Sequence, residues 1–208
     1  MFIAVDGPTA SGKGTIAKAL AAHFGVPHLD TGLLYRAVGY HCARTGGDVN
    51  DPAAATAACA FPESLLAEPE LRSEATGGLA SRVSVHPGVR AALLERQRAF
   101  ARQPGGAVLD GRDIGTVIAP EAEVKLFVTA SVAARAMRRW NEMRERGEDH
   151  TLAGIEADLH RRDERDRTRA EAPLVAAPNA ILLDTSALGR DAAIARAIAL
   201  AEQAMRAH

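Results

Sequence analysis

The sequence predicts an α/β fold, with a parallel sheet that carries helices on both faces. Short strand-like runs alternate along the chain with longer helix-forming stretches. The strand-like runs read as buried, as a sheet covered on both faces requires. The first of them leads through a glycine-rich loop straight into a helix.

Residues 2–6 form the first buried strand, Gly7 to Gly14 the loop, and a helix continues to about Phe24. "VPHLDTG" is a short extended piece, and Thr31 is placed to cap a helix running to about Arg44. Asp51-Pro52 opens an alanine-rich helix. From about Phe61 to Pro87, prolines, a Gly-Gly pair and weak periodicity predict an insertion outside the core. Pro87 suits a helix start, with "VRAALLERQRAFARQ" behind it. "AVLDGRD" and "VKLFVTAS" are buried strands. Ser131 caps a helix ending near Gly147, and Thr151 begins another. "NAILLD" is the last strand and residues 190–207 the last helix. No repeat or linker intervenes, so one domain spans residues 1–208.

With 208 residues, 47% of them apolar, the chain can bury a core without disulfides or metal. A formal net charge of -1 argues against nucleic acid as a partner. Cys42 and Cys59 form no CxxC pair, which fits a reducing compartment. His23, His28, His41, His86, His150 and His160 show no metal-ligand spacing. The first strand begins at Phe2, which leaves no room for a signal peptide, and no apolar run has membrane-spanning length. A soluble, cytoplasmic monomer is expected. Only Lys13, Lys18 and Lys125 are lysines among 25 basic residues. Composition bias accounts for most of the arginines, but a few occur where bidentate phosphate binding would place them.

"GPTASGKGT" follows the first strand and opens the first helix, the context that gives such a loop its meaning. Over Gly7, Pro8, Thr9, Ala10, Ser11, Gly12, Lys13, Gly14 and Thr15, backbone N–H groups can curl around phosphate oxygens without Cβ interference. The helix N-terminus adds partial positive charge, and Lys13 can bridge β- and γ-phosphates. Gly14 stands where such loops usually carry a hydroxyl, which comes one residue later at Thr15 and still offers a Mg²⁺ ligand. A nucleoside triphosphate is the predicted ligand.

The chain has no NKxD to read guanine and no run of four apolar residues ending in Asp-Glu, so a switch GTPase and a motor ATPase are disfavoured. "LDTGLLYR" brings Thr31 and Arg36 into one helical neighbourhood. In "DGRD", Asp110 closes a buried strand and can hold Mg²⁺ through water. Arg112 then projects from the carboxyl edge of the sheet, where ligands bind in open α/β folds, and Asp113 can accept hydrogen bonds from a base or ribose.

In "HRRDERDRTR", residues 160–169, Arg162, Asp166 and Arg169 share a helix face and Arg165 adjoins it. Arg139, with Arg135 one turn before it, lies on the preceding helix, and a hairpin would swing both faces over the phosphate loop. The competing reading is a solvated face stabilised by pairs such as Arg162–Asp166, each worth roughly 0.2–0.5 kcal/mol. Beside a phosphate loop and "DGRD", a phosphate clamp, which can be worth about 10³–10⁵ in rate, is favoured.

With "DGPTASGKGT", "LDTGLLYR", "HPGVRAALLERQRAF", "DGRDIGT" and "RRDERDRTRAEAPL" in this order, the chain resembles the bacterial cytidylate kinases, members of the nucleoside-monophosphate kinases. The resemblance implies a P-loop core with a five-stranded parallel sheet, an inserted monophosphate-binding lobe at about 31–90 and a helical lid at about 139–169. It implies transfer of the γ-phosphoryl group of ATP to CMP or dCMP with Mg²⁺. Arg36, Arg112 and Arg169 would hold the acceptor phosphate near Thr31. Ser81, Arg90 and Asp113 would read the cytosine edge, and Arg162 and Asp166 would lie near the ribose. Arg139 and Arg165 would form the lid's phosphate clamp, joining Lys13, Arg112 and Arg169 in catalysis. The stretch "AFPESLLAEPELRSEATGG" is more compact than the lobe of many relatives and lacks an extra sheet. Alternatives are an AMP or UMP kinase, a shikimate-type hydroxyl kinase with Asp30 as base, and a nucleotide-binding module without catalysis.

Overall fold

The computed structural model describes residues 1–206. Five parallel strands, β1 (Phe2–Asp6), β2 (His28–Asp30), β3 (Ala107–Gly111), β4 (Val124–Thr129) and β5 (Ile181–Asp184), lie in the order β2-β3-β1-β4-β5. β1 sits at the centre, and Asp6 pairs with Gly111 on one side and Phe127 on the other. The carboxyl ends of three strands therefore coincide at the edge from which the glycine-rich loop departs.

Alternation along β1 sends its apolar side chains to both faces. Ile3 and Val5 pack with Ile16 and Leu20 of α1 (Lys13–Phe24) and Ala197 of α8 (Arg190–Arg206). Ala4 faces the other side, with Leu109, Ile114 and Ala101 of α5 (Pro87–Ala101). Residue 207, expected in the last helix, lies outside the described residues. Among those described, no helix is long and apolar enough to cross a membrane.

A second core gathers around α2 (Thr31–Arg44), α3 (Pro52–Ala57) and α4 (Glu74–Val83), and it corrects the expectation for residues 61–87. Phe61, Leu65, Leu71 and Val83 are buried there with Leu34 and Val38, and α4 is a real helix. Its Gly77-Gly78 pair lowers helix propensity, so periodicity alone misses it. Packing supplies what propensity lacks: a Cβ on Gly39 of α2 would meet the Cβ of Leu79 at 2.8 Å. Ser73 caps α4 by accepting from the Thr76 N–H.

The cap of α2 is a second correction. Asp30, not Thr31, accepts the Leu33 N–H at 3.2 Å, while the Thr31 hydroxyl donates to the Asp110 carbonyl at 2.8 Å. The carboxylate one residue earlier satisfies the helix end and frees Thr31 to tie α2 to β3.

Two helices, α6 (Val132–Glu145) and α7 (Leu152–Thr168), form a hairpin with its own small core of Ala136, Met143, Ile155 and Leu159. Arg135 is its polar anchor, buried against Asp163, with Nη1 donating to the Thr9 carbonyl at 3.0 Å. The hairpin is thus fastened to the glycine-rich loop, which brings the arginines of α7 to the sheet edge.

Candidate active site

The loop between β1 and α1 is shaped by backbone constraints. A Cβ on Gly7 would meet the Val128 carbonyl oxygen at 2.0 Å, so only glycine lets the loop press against β4. Gly12 adopts φ 90°, a conformation open to glycine, and no side chain caps the N-terminus of α1. Its first N–H groups are therefore left to donate to an anion. The loop faces a cavity of about 610 Å³, also bounded by Arg138, Arg139, Thr185 and Gly189. Lys13 and Thr15 both open onto it. Burial, reinforced by Arg112, lowers the Lys13 ammonium to about 8 despite Asp110, Asp30 and Asp166 nearby. An anionic ligand would relieve that shift.

Across the sheet edge, the nine residues expected on the acceptor side line one cleft between α2, α4, β3 and α7. Its volume is about 90 Å³, and ion pairs among its own lining residues cross it. Arg112 lines this cleft and reaches from it to the glycine-rich loop. Its Nε donates to Asp166, and its Nη2 donates to the Thr9 hydroxyl of the glycine-rich loop. Burial disfavours both charges of the pair, but mutual attraction outweighs it, lowering the Asp166 carboxyl and raising the Arg112 guanidinium. The Arg162–Asp166 pair of the competing solvated-face reading does not form. Arg162 instead meets Glu74 and, with Nε at 2.7 Å, Asp158, because its side chain turns towards α4.

The other arginines divide their donors between scaffold and cleft. Arg36 donates through Nη1 to the carbonyls of Leu71 and Ser73, both at 2.8 Å. Its Nη2 faces Gly77, where a Cβ would approach to 2.9 Å, so glycine gives the guanidinium room. Asp113 is held between Arg90 and the Arg169 Nη2, the latter at 3.6 Å, and is already engaged before any base arrives. Burial raises its carboxyl against the pull of both arginines. Among the described residues the buried Arg169 Nη2 makes no hydrogen bond, while its Nε donates to the Ala172 carbonyl at 2.7 Å. Such an unpaired donor is costly unless a ligand meets it.

Two positions differ from the expected clamp. Arg165 lines neither cavity; it donates to the Ser81 hydroxyl and so joins the acceptor wall. Arg139 faces the donor cavity, but its guanidinium also meets Glu74. Burial, with Arg162 and Arg36 close by, lowers it to about 10. Glu74 thus sits between arginines of α6 and α7, a link that long-range folding creates and no local pattern announces.

Asp110 is buried; among the described residues its carboxylate pairs with the His28 ring, Nε2 2.7 Å from Oδ1, and turns Oδ2 towards Gly14, 3.6 Å from where a Cβ would stand. His28, one of the histidines without metal-ligand spacing, is its orienting partner. Asp30 is occupied in capping α2 and lies outside the acceptor cleft, which removes it from the position a base for a hydroxyl acceptor would need.

The cytidylate kinase family model matches residues 3–203. The chain belongs to the cytidylate kinase family. It is 54% identical over 205 residues to the cytidylate kinase of Azorhizobium caulinodans, covering 98% of this chain and 99% of that one. Cytidylate kinases of Xanthobacter autotrophicus and Cereibacter sphaeroides are 56% and 57% identical over 203 and 196 residues, covering 97% and 94% of this chain and 97% and 92% of theirs. Among solved structures, an uncharacterized protein from Eubacterium ventriosum superposes with a TM-score of 0.54 at 14% identity, covering 96% of both chains, a likeness of fold alone.

Proposed function

We propose that this member of the cytidylate kinase family transfers the γ-phosphoryl group of ATP to the phosphate of CMP or dCMP. The observation that carries the proposal is the position of Arg112, whose one guanidinium touches both the glycine-rich loop and the arginine-lined acceptor cleft. Two phosphates brought to those clefts would meet across it.

In this reading, the loop and Lys13 hold the β- and γ-phosphates. Arg36, Arg112 and Arg169 take the acceptor phosphate, with the Arg169 Nη2, which makes no hydrogen bond among the described residues, as one donor. Arg90, Ser81 and Asp113 form the base end, and Arg162 and Asp166 lie beside the ribose. A phosphate monoester has a second pKa of about 6 and is mostly dianionic at neutral pH, so no general base is needed. What the protein must do is align two anions, neutralise them and exclude water. The α6–α7 hairpin serves as the lid, and residues 31–90 as the monophosphate lobe. In this reading the lobe and lid move to admit the nucleotide and to exclude water around it.

Thr15 and the inward-facing Asp110 fit a hard cation that shares its shell with phosphate oxygens and water, as Mg²⁺ does. Bound there, Mg²⁺ would neutralise phosphate charge. The enzyme is expected to act as a monomer in the cytoplasm.

The test is ADP release from MgATP with CMP, dCMP, UMP, AMP, shikimate or no acceptor, run in parallel. Turnover with CMP and dCMP far above the others is the expected result. Activity with shikimate, or none above the water blank, would mean that the acceptor cleft takes another ligand.

A further inference from the structure

Asp6, the last residue of β1, is buried at 5% exposure and absent from every role described so far. Its two carboxylate oxygens do separate work: Oδ1 accepts the Ile114 N–H and Oδ2 the Gly115 N–H, each at 2.8 Å. These amides open a wide turn over Ile114–Ile118, in which the Ile118 N–H donates to the Asp113 carbonyl and the Ala119 N–H to that of Ile114. Such five-residue spacing is uncommon and is held by specific contacts where it occurs. The turn begins immediately after Arg112 and Asp113. On its other side, Asp6 is bonded to Gly7, the root of the glycine-rich loop. One carboxylate therefore joins the bases of the donor and acceptor clefts.

A carboxylate in this position is not a cheap packing group. Burial lifts it to about 6, and Asp113 adds to the rise, while the two N–H groups and Lys13 oppose it. An apolar residue would avoid that cost but leave two buried N–H groups unpaired.

We propose that Asp6 is a positioning residue for the acceptor. By pinning the turn that follows Arg112 and Asp113, it fixes these two side chains relative to the glycine-rich loop and so sets where the acceptor phosphate and base sit. This rests on the acceptor assignment made under Proposed function.

Asp6→Asn keeps the volume but presents one oxygen and one NH₂ where two acceptors are needed. One buried N–H loses its partner, a loss of the size that corresponds to roughly tenfold or more. KM for CMP should rise by about that factor while KM for MgATP changes less than about threefold. A purely structural role would lower thermal stability and the active fraction but leave the ratio of the two KM values at the wild-type value. Gly115→Ala disturbs the same contact from the turn: its Cβ would stand 3.2 Å from the Lys125 Cδ and 3.4 Å from the Asp6 Oδ2. It should shift the KM for CMP in the same direction by a smaller factor.

The inference is overturned if folded Asp6→Asn keeps the wild-type KM ratio, or shifts only the KM for MgATP. Should that variant fail to fold, an unchanged KM for CMP in Gly115→Ala overturns it. A wild-type enzyme without CMP turnover is a different failure, which removes the acceptor assignment and the inference with it.

Discussion

Lys13 offers a prediction whose size follows from its surroundings. In the free protein burial lowers its ammonium from 10.5 to about 8, with Arg112 contributing to the same direction. A triphosphate seated in the loop stabilises the charged form, so the pKa must rise on binding. The sign follows: binding takes up a proton, and affinity falls as pH climbs through the free-state value. With a free-state pKa of about 8 and a bound value back near the ordinary lysine range, MgATP should bind roughly tenfold more weakly at pH 9 than at pH 7. Uptake should approach one proton per site near pH 9 and fall to about a tenth of a proton at pH 7. Titration calorimetry in buffers of different ionisation enthalpy measures both quantities. Lys13→Arg, whose charge does not titrate in this range, should bind with little pH dependence. Constant affinity from pH 7 to 9 without proton uptake would refute the coupling between the loop and Lys13.

Arg112→Ala should lower turnover by roughly 10³ or more while MgATP affinity stays within a few-fold, because the transferred charge loses its bridging guanidinium and the loop keeps its own contacts; equal losses in both would reassign Arg112 to the donor. Arg135→Ala strands the buried Asp163 carboxylate, a change of about 3–5 kcal/mol that should lower Tm by roughly 10 °C. The double variant Arg135→Met with Asp163→Leu should recover much of that loss, which differential scanning calorimetry would show.

Sequence alone carried the parts of this molecule whose chemistry is local. The glycine-rich loop, the strand before it and the helix after it are contiguous, so motif and context could be checked together. "DGRD" was likewise legible, since a buried strand ending in Asp-Gly-Arg has few other uses. What escaped depends on distant partners. The α4 helix was invisible because Gly77 and Gly78 break its periodicity, and it stands by packing its Leu79 against Gly39 of α2. Helical spacing offered Arg162 as a partner for Asp166 only in the competing solvated-face reading, and it is Arg112, 54 residues away, that reaches Asp166. Asp113 was read as a ligand group, while the fold places Arg90 and Arg169 around it. Glu74 and His28 carried no signal at all, because each matters only through a residue far along the chain. Asp30, a candidate base by its place in "LDTG", is used as a helix cap.

The central claim is that two phosphates meet across Arg112 and that the γ-phosphoryl group passes directly between them. Incubation with ATP labelled in the γ-phosphate, CMP and Mg²⁺, followed by separation of the nucleotides, tests it in one step. The account predicts label in the β-phosphate of CDP, with little in orthophosphate. Label recovered mainly as orthophosphate, with CMP unchanged, would contradict it.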